Sequence, residues 1–204
     1  MTNELTTISV EEARIRTRRA DQALIEAAED AGLIDVALGT MDSPVGELLL
    51  AVTSRGLACV AYDDQDRDRL LDRFARELSP RVLRSTGPTD EARHQLEQYF
   101  AGKRRGFELT LDRRLMGSFA RTVLEATARV PFGQVSTYGR VATEIARPHA
   151  ARAVGAALGS NPIPIVVPCH RIVGASGKLT GYAGGLHRKE YLLHLEGEPR
   201  LFQA

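Results

Sequence analysis

Residues Ser136 to Arg171 read STYGRVATEIARPHAARAVGAALGSNPIPIVVPCHR, and the punctuation in this stretch organises the second half of the chain. Ser136 or Thr137 can cap a helix from Tyr138 to Ala146, because a short side-chain oxygen satisfies an orphan N–H of the first turn. Pro148 can open a second helix from His149, ending at Gly159. Two short helices joined by a tight turn at Arg147-Pro148 predict helix-turn-helix geometry. The apolar run that follows from Asn161 carries Pro162, Pro164 and Pro168 and ends on Cys169, His170 and Arg171. Proline fixes φ and removes a donor, so a short β-type run of this kind delivers its cysteine to a defined place.

Downstream, Leu186 to Glu196 has helical spacing and stops at Gly197. Upstream, Ser118 can cap a helix from Phe119 to Val130, which Pro131-Phe132-Gly133 ends. In the N-terminal half the period changes. Leu33 to Leu38, Leu48 to Val52 and Leu57 to Tyr62 are short apolar runs separated by turn residues, which predicts a small antiparallel meander. Gln65 to Leu78 and Thr89 to Phe100 return to helical spacing, the second with Asp90 and Glu91 in its first turn, where the helix dipole favours them. Lys103 to Arg114 reads as a basic, partly extended linker, and residues 1–32, rich in Ala, Glu and Arg, predict one or two peripheral helices. The expected fold class is α+β: a helical extension (1–32), an α/β domain with flanking helices (33–112), and a mainly helical domain (113–204).

At 204 residues, with 43% hydrophobic and 26% charged content, the chain can bury one ordinary core or two small ones and does not read as disordered. No apolar run reaches the roughly 18 residues that cross a bilayer, and Met1 to Val10 lacks the regions of a signal peptide, so a cytoplasmic protein with no membrane partner is expected. Cys59 and Cys169 stand far apart without a CxxC pair or a Cys/His cluster, so neither a disulfide framework nor a metal site is expected. Net charge is only +1, but residues 113–204 hold 12 Lys and Arg against 5 Asp and Glu, whereas residues 1–112 hold 15 against 21. A basic half can meet a phosphate backbone, or can be no more than solvated surface.

A free thiol has a pKa of about 8.5, so a nucleophilic cysteine needs a base or a cation nearby, and His170 and Arg171 are candidates. The same sequence fits a small buried hydrophobe beside a surface histidine, and adjacent residues of an extended strand point to opposite faces. Tyr138 fits either a core edge or a nucleic-acid contact. Arg152 fits a solvated helix residue or a groove contact on a helix whose Ala and Gly side chains let it approach a surface closely.

Pro168-Cys169-His170-Arg171-Ile172-Val173 and Gly181-Tyr182-Ala183-Gly184-Gly185-Leu186 resemble the O6-alkylguanine-DNA alkyltransferase family. The likeness runs collinearly from Pro131-Phe132-Gly133 through Tyr138, Ala151-Arg152-Ala153-Val154-Gly155 and Asn161-Pro162 to Lys189, Leu192-Leu193 and Glu196-Gly197. It is looser at Ser43-Pro44-Val45-Gly46, Gly56-Leu57 and Leu96 to Gly102. The resemblance implies a ribonuclease H-like first domain and a winged-helix-like second domain. It also implies a methylated-DNA-protein-cysteine S-methyltransferase that flips O6-alkylguanine out through the minor groove and takes the alkyl group onto Cys169 once, without cofactor or metal. In that scheme His170 reaches the thiol through a water and is held by Glu196, while Tyr138 protonates N3 of the leaving guanine. Arg152 occupies the gap left by the base, with Ala151 and Gly155 on the same groove-facing helix. Asn161, Arg171, Tyr182, Ala183 and Gly184 line or support the base pocket. The implied partner is double-stranded DNA carrying O6-alkylguanine, with O4-alkylthymine as a second lesion, and a monomer is expected.

Ala120, Val123-Leu124 and His187 depart from the family pattern as packing changes, the zinc ligands of some relatives are missing, and residues 1–32 have no counterpart. Three rival classes differ at identifiable points. A protein that only flags lesions would replace the acceptor cysteine. A helix-turn-helix regulator would need a polar base-reading face, where this helix is mostly Ala and Gly. A cysteine hydrolase would need an oxyanion hole and a separate catalytic histidine.

Overall fold

The computed structural model of the chain describes residues 9–197, so expectations for residues 1–8 and 198–204, at the two ends of the chain, lie outside the described residues. The N-terminal extension forms a single helix, α1 (Val10–Asp30), opened by a capping box in which Ser9 and Glu12 exchange hydrogen bonds. The three apolar runs become β1 (Val36–Met41), β2 (Leu48–Thr53) and β3 (Gly56–Tyr62), an antiparallel meander with β2 between its neighbours. A fourth strand, β4 (Val82–Arg84), pairs parallel with β1 and gives the order β3-β2-β1-β4. Three residues are too few to show an alternating pattern, so this strand exists only through its register against β1.

The strands are buried almost throughout, because both faces of the sheet are covered. On one face Val36, Leu38, Ala51 and Cys59 pack against Phe74 of α2 (Arg67–Glu77). On the other, Leu48, Leu50, Val60 and Tyr62 pack with Leu96 and Tyr99 of α3 (Asp90–Phe100), and this core continues unbroken into the helices of the second domain. Gly56 turns β2 into β3 at φ +115°, and a Cβ there would lie 2.1 Å from the Thr110 carbonyl oxygen. Its bare backbone lets the linker lie on the hairpin, where Leu57 N–H donates to Thr110 and Asp112 N–H donates to Leu57.

The second domain contains α4 (Ser118–Ala128), α5 (Tyr138–Glu144), α6 (Ala151–Gly159) and α7 (Leu186–Leu195). Thr137 caps α5 by accepting from the Arg140 N–H. At α4 the N-cap position falls on Gly117, one residue before the expected Ser118, and no side chain caps it. The helix-turn-helix forms, but α6 starts at Ala151, leaving Pro148 and His149 in the turn after Ala146, which takes a left-handed φ of +57°. A two-residue strand, β5 (Ser136–Thr137), pairs in parallel with β6 (Ile172–Val173) and so ties the entrance of α5 to the segment just beyond Cys169.

The expected strand from Asn161 to Cys169 does not form. The segment is instead a run of tight turns: the Asn161 side chain accepts from Ile163 N–H, and Val166 and Val167 N–H donate to Pro164 and Ile163. Ile165 sits at φ +73°, a costly conformation for a β-branched residue, and both Ile163 and Ile165 are fully buried. Prolines here remove ladder donors, and the two isoleucines anchor the turns in the core, so the segment is positioned by burial and not by pairing.

Candidate active site

Cys169 opens a short 3-10 turn, Cys169–Arg171, directly after Pro168. The turn separates side chains that a strand would alternate. Cys169 lines a cleft of about 690 Å³, whereas His170 and Arg171 are buried away from it. Asn161, at the start of the preceding turns, donates from Nδ2 to the Cys169 sulfur at 3.2 Å and to the Val167 carbonyl at 3.0 Å. Burial pushes the Cys169 thiol up, and it is opposed by the Asn161 hydrogen bond, the Lys189 ammonium and the Tyr182 hydroxyl.

Behind the thiol lies a buried charged cluster centred on Glu196, the residue that follows α7. Its Oε1 receives the Tyr99 hydroxyl at 2.7 Å and Arg171 Nη2 at 2.9 Å, and pairs with His170 Nε2 at 3.0 Å. Its Oε2 receives Arg171 Nε at 2.8 Å and the Gly133 N–H at 3.3 Å. Burial alone would raise the Glu196 pKa, but hydrogen bonds from His170 and Arg171 outweigh it and hold the group at about 2. Glu196 is therefore a carboxylate at neutral pH, and a carboxylate can only accept. His170 must then carry its proton on Nε2 and present a lone pair at Nδ1. Nδ1 is the one buried side-chain polar atom without a hydrogen-bond partner among the described residues. Burial lowers the His170 pKa, opposed by Glu196, so the ring is neutral and able to take a proton.

The cleft brings together seven of the residues singled out in the sequence. Cys169, Tyr138, Ala151, Arg152 and Gly155 line it from the helix-turn-helix side, and Tyr182 and Ala183 from the loop before α7. Tyr138 is the first residue of α5. Its hydroxyl donates to the carbonyls of Thr180 and Gly181 at 3.2 and 3.4 Å, and its ring lies under Gly155, where a Cβ would approach to 3.6 Å. Arg152 is exposed at the mouth and makes no hydrogen bond or ion pair among the described residues. Arg140 and Arg147, also exposed on the helix-turn-helix, likewise lack a carboxylate partner among the described residues, whereas Arg113 and Arg129 are paired with Glu125 and Glu144.

His170, Glu196 and Arg171 form the buried cluster and do not reach the cleft wall, and Asn161 acts from beneath the thiol. Gly184 does not line the cleft; it is buried in the loop, where a Cβ would meet Tyr62 of the first domain at 2.4 Å and Tyr182 at 3.0 Å, so its missing side chain makes room for tyrosine rings. Sequence reasoning missed Tyr99, which completes the Glu196 cluster from α3. It also missed the work of Lys189, a wholly buried lysine whose Nζ donates to the Ile172 and Thr180 carbonyls at 2.6 and 2.9 Å. Burial pulls Lys189 down to about 8. Both lie inside stretches that carry the family resemblance, but nothing in their spacing tells which atoms they meet.

A family model described as the ribonuclease-like domain of 6-O-methylguanine DNA methyltransferase matches residues 36–113, and one described as its DNA binding domain matches residues 118–198. The chain belongs to the 6-O-methylguanine DNA methyltransferase family. The methyltransferase family members to which it is similar include the methylated-DNA--protein-cysteine methyltransferase of Mycolicibacterium paratuberculosis, 47% identical over 158 residues that cover 77% of this chain and 90% of that protein. The Salmonella typhimurium protein of the same name is 54% identical over 159 residues, covering 76% and 92%. Among solved structures, Mycobacterium tuberculosis OGT in complex with DNA is 40% identical with a TM-score of 0.69, over 82% of this chain and all of that one. Helix α1 lies outside both matched methyltransferase domains.

Proposed function

We propose that this protein repairs DNA by accepting the alkyl group of a flipped-out O6-alkylguanine onto Cys169, once per molecule. It is a DNA repair methyltransferase in which the cleft receives the base and the buried cluster activates the thiol. Three observations support this reading: Cys169 is on the cleft wall, the adjacent His170 is buried with an Nδ1 that has no partner among the described residues, and Glu196 is held ionised against His170 Nε2. The Cys169 proton passes through a water to His170 Nδ1, and the sulfur attacks the alkyl carbon. The carbon–O6 bond breaks and its electron pair moves into the guanine ring. Tyr138 gives a proton to N3, which balances the one His170 has taken. A thioether is a poor leaving group and, among the described residues, no second thiol lines the cleft, so the protein is consumed in the reaction.

Duplex DNA approaches the face bearing α5 and α6. The unpaired Arg140, Arg147 and Arg152 supply cationic contacts to a phosphate backbone, and the small residues Ala151 and Gly155 allow α6 to come close in the minor groove. Arg152 fills the space left by the extruded base, whose unstacking costs a few kcal/mol. O4-alkylthymine is a second substrate of the same pocket, and the protein acts as a monomer.

The test is to mix the protein with duplex DNA containing O6-methylguanine and weigh the peptide that carries Cys169. The expected result is one added methyl per molecule and no second turnover. Tight lesion binding with an unmodified Cys169 would instead identify a protein that only marks damage.

A further inference from the structure

Tyr62 ends β3, in the first domain, yet it reaches the loop that walls the cleft. Its hydroxyl lies 2.7 Å from the Tyr182 hydroxyl, and the two rings meet edge-on with centroids 6.3 Å apart. Three further features hold this pair in place. Gly184 lacks the side chain that would collide with the Tyr62 ring. The Arg188 guanidinium lies over the Tyr62 ring, 4.5 Å from its centre. Arg188 also spans the two domains, donating to Gly184 and Val45 carbonyls and to the Asp63 and Asp64 carboxylates at 2.6 to 2.9 Å. Tyr182 and Cys169 line the same cleft.

We propose that Tyr62 is a positioning residue for the acceptor thiol: its hydroxyl donates to that of Tyr182, which frees the Tyr182 proton to point at the Cys169 sulfur and holds the Tyr182 ring against the base pocket. The order of donation follows from the inventory of groups. A thiolate can only accept, and Tyr182 has one proton, so if Tyr182 donates to sulfur its oxygen must accept from Tyr62. Burial keeps both phenols protonated, well above their ordinary range. The groups facing Cys169 are Asn161, Lys189 and Tyr182, with the His170–Glu196 pair behind, and those facing Tyr62 are Tyr182, Arg188 and Asp64. Of these, only the Tyr62–Tyr182 pair carries an influence from the first domain's sheet to the sulfur through hydroxyl hydrogen bonds. The first domain thereby sets the thiol's reactivity without touching DNA or alkyl group.

This assignment rests on the reading of Cys169 as acceptor, and its test separates the two. Tyr62→Phe keeps the ring and removes the hydroxyl. The rate of Cys169 carbamidomethylation by iodoacetamide, followed by peptide mass in the full-length protein, is measured across pH alongside transfer from O6-methylguanine duplex. Losing one relayed donor to the thiolate should move the rise of the iodoacetamide profile up by about half a pH unit, a roughly threefold slowing on its acid side. The rates should converge at high pH. Adding Tyr62→Phe to Tyr182→Phe should cause no further shift. A purely packing role would slow the reaction equally at every pH or leave the profile unmoved, and either result overturns the assignment, as would a double variant whose shifts add. If the profile moves but wild-type protein takes nothing from O6-methylguanine, the repair reading falls and the relay stands. If wild-type protein takes the methyl and the profile does not move, the relay falls and the repair reading stands.

Discussion

Replacing Glu196 with glutamine keeps the size of the side chain and removes its charge from the middle of the buried cluster. The folded-state pKa of Glu196 is about 2 against an ordinary value of 4.5. At roughly 1.4 kcal/mol per unit, the ionised form therefore contributes about 3 kcal/mol to folding at neutral pH. An independent route gives a similar size, since removing one partner of a buried ion pair costs about 3 to 5 kcal/mol by stranding the other charge, here the Arg171 guanidinium. The group is almost fully buried, so solvent screening does not reduce the figure much. Because folding lowers the pKa, the contribution is complete above the unfolded value near 4.5 and disappears as pH falls toward 2, where wild-type Glu196 takes up its proton and comes to resemble glutamine. Urea unfolding of wild type and Glu196→Gln should differ by about 3 kcal/mol at pH ~7 and by only about 1 kcal/mol at pH ~3. A gap under about 1 kcal/mol at neutral pH, or one that stays constant into acid, would refute the view that Glu196 is held ionised by its buried donors. The same variant should also lose alkyl transfer, because His170 would no longer be fixed in the Nε2–H form.

Arg152→Ala should leave folding within about 0.5 kcal/mol of wild type in thermal melts, as expected for an exposed side chain without partners. It should nevertheless slow transfer from duplex DNA by about tenfold or more while sparing reaction with free base analogues, and equal slowing of both would remove its role in base extrusion. Gly56→Ala should destabilise by about 2 kcal/mol, because φ +115° is strained for any side chain and the new Cβ would press on the Thr110 carbonyl. A urea midpoint unchanged from wild type would show that the linker shifts away freely.

Much of the architecture was legible in the chain itself. Short apolar runs marked β1 to β3, and a period of 3.6 marked α2, α3 and the helices of the second domain, because segments that must be buried leave an apolar trace in sequence. Strand β4 left none, being three residues long and defined by pairing alone. The turns from Asn161 to Pro168 were misread as a strand because apolar β-branched residues favour strands locally, and only the burial of Ile163 and Ile165 overrides that preference. At the site, the collinear motifs singled out Cys169, His170, Glu196, Tyr138 and Arg152, since residue type and order survive in one dimension. They could not tell which of these face the cleft and which stand behind it.

The sequence by itself determined most of the elements, the acceptor candidate and the family resemblance. The tertiary structure alone decided that Glu196 meets Tyr99 and Arg171 as well as His170, that His170 presents Nδ1, and that Tyr62 and Arg188 join the first domain to the cleft wall. The physical reason is range. Helix and strand periods are local, but these contacts link residues 97, 120 and 124 positions apart, and no short-range pattern encodes which side chains two separately folded layers bring within hydrogen-bond distance.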